Sequence, residues 1–130
     1  MAAPNIVSVS SIYGKTMGAA LSTSTATDIL ICPANKVLKI NSIIVANVDG
    51  TNNADATVYF YDSSAGTRYA LAYTVTVPAD STLIVLGKDS PIYLEESDQI
   101  EAGASASGDL EIIISYEEID DAWWLYLKKI

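Results

Sequence analysis

The sequence contains no histidine. That removes His-based triads, the commonest general base and the commonest metal ligand. It has one cysteine, Cys32, which can form neither an intrachain disulfide nor a Cys-rich zinc site. Basic residues are scarce: seven Lys and Arg stand against sixteen Asp and Glu, for a net charge of −9. A chain this acidic is repelled by phosphate backbones, so nucleic acid is not an expected partner. No apolar run reaches the ~18 residues needed to cross a bilayer, so no membrane partner is expected. The longest candidate, Ile40 to Val48, is interrupted by Asn41, Ser42 and Asn47. The opening Met1-Ala2-Ala3-Pro4-Asn5 has neither a basic n-region nor an apolar h-region, so no secretory signal is expected. A lone cysteine without a signal fits synthesis in a reducing cytoplasm.

What is present is apolar and short-phrased. Half of the 130 residues are apolar and the mean hydropathy is +0.27. One domain of this size buries roughly two-thirds of its unfolded surface. The chain breaks into short apolar runs separated by turn residues. Asn5 to Ile12 reads as a weak strand, followed by a turn at Tyr13-Gly14-Lys15. Ala19 to Thr27, rich in Ser and Thr, reads as an extended surface segment or a sheet edge. Val37 to Val48 is the best strand of the first half. Its face carrying Val37, Lys39 and Asn41 starts polar and turns apolar at Ile43. That suits a strand exposed at one end and buried on both sides at the other. Ala56 to Asp62 is dense in β-formers and closes a hairpin onto Thr67 to Val77, where Tyr69, Leu71, Tyr73, Val75 and Val77 alternate with small or polar residues. Shorter strands follow at Ser81 to Leu86, Pro91 to Leu94, Gln99 to Ser105 and Leu110 to Tyr116. Eight or nine short strands, with turn signals every 8–12 residues, predict an all-β antiparallel sandwich or jelly roll. Residues 1–119 form this domain, with 1–27 a candidate extended arm.

Candidate chemistry is weighed against plainer roles. Ten of the sixteen acids lie between Glu95 and Asp121, with no Lys or Arg among them. They read as a solvated acidic rim rather than a cation site or a carboxylate pair. The loop Asp49 to Asp55 has its glycine directly after the first Asp, wrong for an EF-hand, and reads as a hairpin loop. Cys32 lacks a histidine to activate it and reads as a buried small hydrophobe. No serine sits in Gly-x-Ser-x-Gly. Tyr59, Tyr61, Tyr69 and Tyr73 read as packing residues, half in the core and half at the rim. No catalytic residue, metal site or cofactor is assigned, and the chain is expected not to be an enzyme.

The last residues, 120–130, differ in style. Asp120 and Asp121 with Lys128 and Lys129 would match a helix macrodipole, with Ile119, Trp123, Tyr126, Leu127 and Ile130 on one face. An extended reading, with Trp123, Leu125 and Leu127 on one side, is equally allowed. Two adjacent tryptophans cannot both be buried by one domain face in either form. Burying two Trp rings is worth on the order of 3–6 kcal/mol, and Trp and Tyr are favoured interface anchors. Trp123, Trp124, Tyr126, Leu127 and Ile130 are therefore the candidate partner-docking residues. The alternative is that they cover the chain's own sheet edge.

Several phrases resemble a known family. They are Asn5-Ile6-Val7 with Ser11-Ile12-Tyr13-Gly14-Lys15-Thr16, then Lys39 to Gly50, Val77 to Leu83, Ile92-Tyr93-Leu94-Glu95-Glu96-Ser97-Asp98 and Ser115 to Ile119. Together they are similar to small virion structural proteins of tailed bacteriophages, especially those of cyanobacteria and other marine bacteria. The resemblance spans about residues 4–119. Ser97 stands where the family phrase often has glycine. The Trp-Trp tail lies outside the resemblance. It implies a protein carried on the virion and made in the bacterial host cytoplasm. The leading form is a head decoration, or cement, protein that binds the major capsid protein as a homo-oligomer, in the likeness of jelly-roll trimers. The alternatives are a neck, tail or fibre component and, more remotely, a carbohydrate- or calcium-binding β-sandwich module.

Overall fold

The computed structural model describes residues 9–24 and 26–121, with side chains for 11–24 and 26–120. Nine strands follow one another: β1 Val9–Ala20, β2 Thr27–Ile31, β3 Lys36–Asn47, β4 Ala54–Asp62, β5 Thr67–Val77, β6 Thr82–Leu86, β7 Ile92–Leu94, β8 Gln99–Ala104 and β9 Leu110–Asp121. No helix occurs among the described residues. Sheet A is ordered β1-β9-β3-β6, with β7 also pairing β3; sheet B is ordered β2-β8-β4-β5. All pairings are antiparallel.

Strands β6 and β7 sit end to end along the same side of β3, so they fill one strand position. Counted that way, the first strand pairs the last, the second the next to last, and so on inward to the β4–β5 hairpin. That nesting is a long ribbon folded over on itself, the topology of a jelly roll. The expected all-β sandwich is observed.

The core has a division of labour. Sheet A contributes large side chains: Leu38, Ile40, Ile43 and Val45 from β3, and Leu110, Ile112 and Ile114 from β9. Sheet B answers mostly with alanines, at 54, 56, 72, 102 and 104, around Val58 and Ile100. Large against small lets two twisted sheets interdigitate without voids.

Strand β3 departs from the expected alternation. Leu38 and Ile40 face the core, and so do Ile43 and Val45. The reason is a bulge. Ile40 faces Tyr116 and Ser42 faces Ser115 on β9, leaving Asn41 as an extra residue. One extra residue reverses which face each later side chain takes. The change from polar to apolar at Ile43 is therefore a slip of register, not burial on both sides.

Both ends of the domain also differ from expectation. Tyr13-Gly14-Lys15 is not a turn but the middle of β1, which pairs β9 at eleven positions. Strand β9 runs on through Asp121, past the expected limit at Tyr116, so a boundary at 119/120 falls inside a strand. Cross-strand pairing outweighs local turn propensity in both places. Residues 9–20 of the candidate arm thus lie in sheet A. The Glu95–Asp98 turn holds Ser97 at a φ of 70°. This is the left-handed region that glycine enters without cost.

The loop from β3 to β4 hangs on a buried amide. Asn47 Nδ2 donates to the carbonyls of Asn52 at 3.0 Å and Val77 at 2.9 Å, and its Oδ1 accepts the Asp49 N–H at 2.8 Å. Asn47→Leu leaves the buried Val77 carbonyl and the half-buried Asp49 N–H unsatisfied. It is expected to lower unfolding free energy by about 1–3 kcal/mol, read from the urea midpoint. An unchanged midpoint would show that the loop rehydrates freely.

Candidate functional site

The acidic residues do not converge. Among the described residues, no three His, Cys, Asp or Glu side chains are placed to hold a metal. Several of the acids instead have local work. Asp98 is buried and caps two loops, accepting the N–H of Ser63 and of Glu95, both at 3.0 Å. Asp49 accepts Thr51 N–H at 2.8 Å and also hydrogen bonds from Asn52. The Thr51 hydrogen bond, followed by those of Asn52, holds its carboxyl below the usual range. This Asx turn leaves the 49–55 loop shaped as a connector.

Four charges are gathered where β1, β9 and β3 run side by side. Glu118 accepts from Lys15 and Lys36, both at 3.1 Å, and Lys36 also reaches Asp120 at 2.9 Å. Burial by itself pushes the Glu118 carboxyl up, but the hydrogen bonds and charges of Lys36 and Lys15 outweigh it and leave it below its ordinary value. The Asp120 hydrogen bond, against burial and together with Glu118, holds Lys36 above its ordinary value. Nearby, Asn41, the bulge residue, donates from Nδ2 to Glu117 at 3.2 Å. The strand tolerates its run of acids because β1 and β3 bring the partners.

The outer face of sheet B carries a second ion pair. Glu101 is buried, and Arg68 Nε donates to its Oε1 at 2.7 Å. The guanidinium also lies over the rings of Tyr59 and Tyr61, 5.8 and 5.6 Å from their centroids. Tyr73 approaches Tyr59 at 6.4 Å in a tilted pair. The two ring faces are thus occupied by Arg68, which neutralises a carboxylate that would otherwise be buried alone. The sequence signals were a single basic residue between Lys39 and Lys88 and an acid inside the small-residue strand Gln99–Ala104. Neither identified its partner.

None of the four tyrosines belongs to the core, contrary to the even division expected. Tyr59 and Tyr61 are half-buried on the outer face, and Tyr69 and Tyr73 are exposed. Two register shifts in the β4–β5 pairing break the alternation of β5, leaving Ala72 and Val77 as its buried residues. Tyr69 lines an apolar groove of about 170 Å³ with Phe60, Leu71, Ile92 and Tyr93, at the seam between β5 and β7. A row of isoleucines crosses the outer face of sheet A, where Ile113 and Ile84 both face Ile44. Ile84 is 68% exposed. The candidate docking residues Trp123, Trp124, Tyr126, Leu127 and Ile130 lie outside the described residues.

Cys32 is buried beside backbone carbonyls, with Sγ 3.2 Å from Lys36 O and 3.6 Å from Pro33 O. Burial pushes its thiol up to about 12. It is therefore a packed side chain and a poor nucleophile at neutral pH.

No protein-family model matches the chain, and no curated protein matches it. Among solved structures, a Bacillus endospore appendage, described as one of a novel family of disulfide-linked pili, overlays with a TM-score of 0.51 at 15% identity. The overlay covers 85% of this chain and 89% of that one. At that identity the likeness is one of fold. The CBM22-1-GH10 modules of a Clostridium thermocellum xylanase align at 10% identity with a TM-score of 0.28, over 85% of this chain and 26% of that one.

Two measurements test these assignments. The Glu118 contribution is present above its unfolded value of 4.5 and is lost as pH falls through its lower folded value. The Lys36 contribution is present below 10.5 and is lost as pH rises through its higher folded value. Glu118→Gln is expected to cost about 1–2 kcal/mol at neutral pH. The difference from wild type should shrink below pH 4.5. A pH-independent difference would remove ionisation from the account. The Cys32 thiol is expected to resist a thiol reagent in the native protein at neutral pH and to react fully in denaturant. Rapid native labelling would contradict its burial.

Proposed function

We propose that this chain is a non-enzymatic structural subunit that associates with copies of itself and is carried on a bacteriophage virion, as a capsid decoration protein on the outer head. The observation that carries the reading is the distribution of apolar side chains. The jelly roll closes a core of its own, yet leaves Ile12, Tyr13, Tyr69, Tyr73, Ile84 and Tyr93 exposed. Apolar groups spread over several faces favour burial between subunits. The resemblance of the strand and turn phrases to virion proteins supports the location. The shared fold supports the structural role, since the appendage subunit is itself built into a pilus. That pilus is disulfide-linked. This chain would be joined by packing and strand contacts, because its one thiol is buried.

In this role each subunit bridges neighbouring shell proteins and raises the free energy needed to part them. An interface of about 1,200–2,000 Å² per contact suffices. The acidic surface keeps the particle soluble. The Trp123-Trp124 segment supplies a docking anchor to the shell or to a neighbouring subunit.

The test is the copy number per particle, by quantitative mass spectrometry of purified virions against the major capsid protein. Hundreds of copies in a simple ratio to the shell protein are expected. A few dozen or fewer would move the chain to the neck, tail or fibres. Absence from virions would overturn the reading and return the carbohydrate- or calcium-binding alternative. Removal of residues 122–130 is expected to leave the melting transition in place and to reduce attachment to the particle. Loss of folding would instead place the segment in the chain's own core.

A further inference from the structure

Strand β1 closes one side of sheet A and presents a long open edge. The Leu21 N–H donates to the Leu110 carbonyl at 2.9 Å, in step with the register that sets residues 11–20 against residues 120–111. In an antiparallel ladder the hydrogen-bonded residues alternate. The N–H and C=O groups of residues 11, 13, 15, 17 and 19 therefore point at β9. Those of Ile12, Gly14, Thr16, Gly18 and Ala20 point away from it. Among the described residues, no strand pairs with this outer edge.

The other edges are blunted in recognised ways. Strand β5 carries two register shifts and a non-glycine residue, Thr74, at a φ of 48°. Strand β2 has five residues and a register shift. Strands β6 and β7 have five and three residues, and a turn at Gly87–Ser90 separates them. Strand β1 has none of these devices between Ser11 and Ala20: no register shift, no proline and one charge. That charge, Lys15, shares the core-facing side with Met17 and Ala19. An unpaired lysine there would deter a further strand, but Glu118 already neutralises it at 3.1 Å. Ile12 and Tyr13 stand 53% and 51% exposed along the same edge.

We infer that β1 pairs with β1 of a second copy, antiparallel, about a twofold axis at Thr16. This rests on the proposed self-association and names its contact; the unit becomes a dimer in place of the trimer that the resemblance implies. The occupant is a second copy because a regular edge needs a regular partner: β2 has five residues, and the register shifts of β5 leave it no regular stretch of matching length. The register is self-complementary. Gly14 faces Gly18 of the partner subunit, Ile12 faces Ala20 of the partner subunit, and Lys15 sits opposite Met17 of the partner subunit. No like charges stand directly opposite, and the two Lys15 side chains, diagonal neighbours across the axis, are each paired with Glu118. Every outward donor and acceptor from Ile12 to Ala20 is satisfied, and two five-stranded sheets become one of ten. The contact is isologous and closes at two copies.

The test is sedimentation of the full chain with three variants. Wild type is expected at twice the chain mass of 13.8 kDa. A Cβ at Gly14 meets nothing within 4 Å, and at Gly18 only ordinary contacts at 3.6 and 3.9 Å. Side chains are therefore tolerated there in the monomer. Gly14→Lys with Gly18→Lys sets like charges opposite each other twice, and should weaken the dimer by about tenfold or more. Gly14→Lys with Gly18→Glu sets opposite charges in the same places, and should dimerise at least as well as wild type. Thr16→Pro removes an outward N–H that makes no bond to β9, and should also abolish the dimer. Melting curves establish that each variant is folded. A trimer, or an oligomer indifferent to all three variants, overturns the edge contact while self-association stands. Equal weakening by both charge variants overturns the register. A wild-type monomer at every concentration overturns both the contact and the self-association beneath it.

Discussion

Eleven register positions, from Lys36 facing Asp120 to Asn47 facing Leu110, tie β3 to β9. Everything else in sheet A hangs on that ladder. Strand β9 carries β1 on its other side, and β3 carries β6 and β7. The core is lined by the large residues of these two strands, set against the alanines of sheet B. The two strands are far apart in sequence, so the entropy of closing the loop from Asn47 to Leu110 must be met before the ladder rewards it.

The ladder also explains how an acidic strand survives. Four acids fall between Glu117 and Asp121 in place of a more typical strand composition, interrupted by Ile119 alone. Isolated, such a run repels itself. Beside β1 and β3, Glu118 and Asp120 meet Lys15 and Lys36, and Glu117 meets Asn41. On sheet B, Arg68 does the same for Glu101. Few bases are available, and four of the five in the described chain lie on strands next to acids or on the acid-bearing face. The rest of the acidic surface stays in water, where it serves solubility more than stability.

The proposed assembly would cover the apolar side chains that lie outside the closed interior. The groove between β5 and β7, the isoleucine row of sheet A and the open edge of β1 lie on different sides of the domain. Such a distribution suits a subunit with several neighbours better than a module with one ligand site. With its thiol buried, the proposed assembly would rely on packing and backbone pairing.

The strands from β3 to β8, the turn residues between them and the sandwich class were legible in the sequence, because they rest on period-two alternation and on Gly, Pro, Asn and Asp chemistry within a few residues. The burial of Cys32 was legible for the same local reason, from its apolar neighbours and the absence of any activating group. What local pattern could not carry was register. The bulge at Asn41 and the shifts in β5 move side chains from one face to the other, and they exist only relative to a partner strand. The continuation of β1 through Tyr13-Gly14-Lys15 and of β9 through Asp121, the partners of Glu101 and Glu118, and the open edge of β1 are all of this second kind. Composition and periodicity determined that this chain folds as a sandwich; the pairing of residues some seventy positions apart decided which side chains face the core, which charges meet and which edge is left for a neighbour, because antiparallel register is a property of two strands and is written in neither one alone.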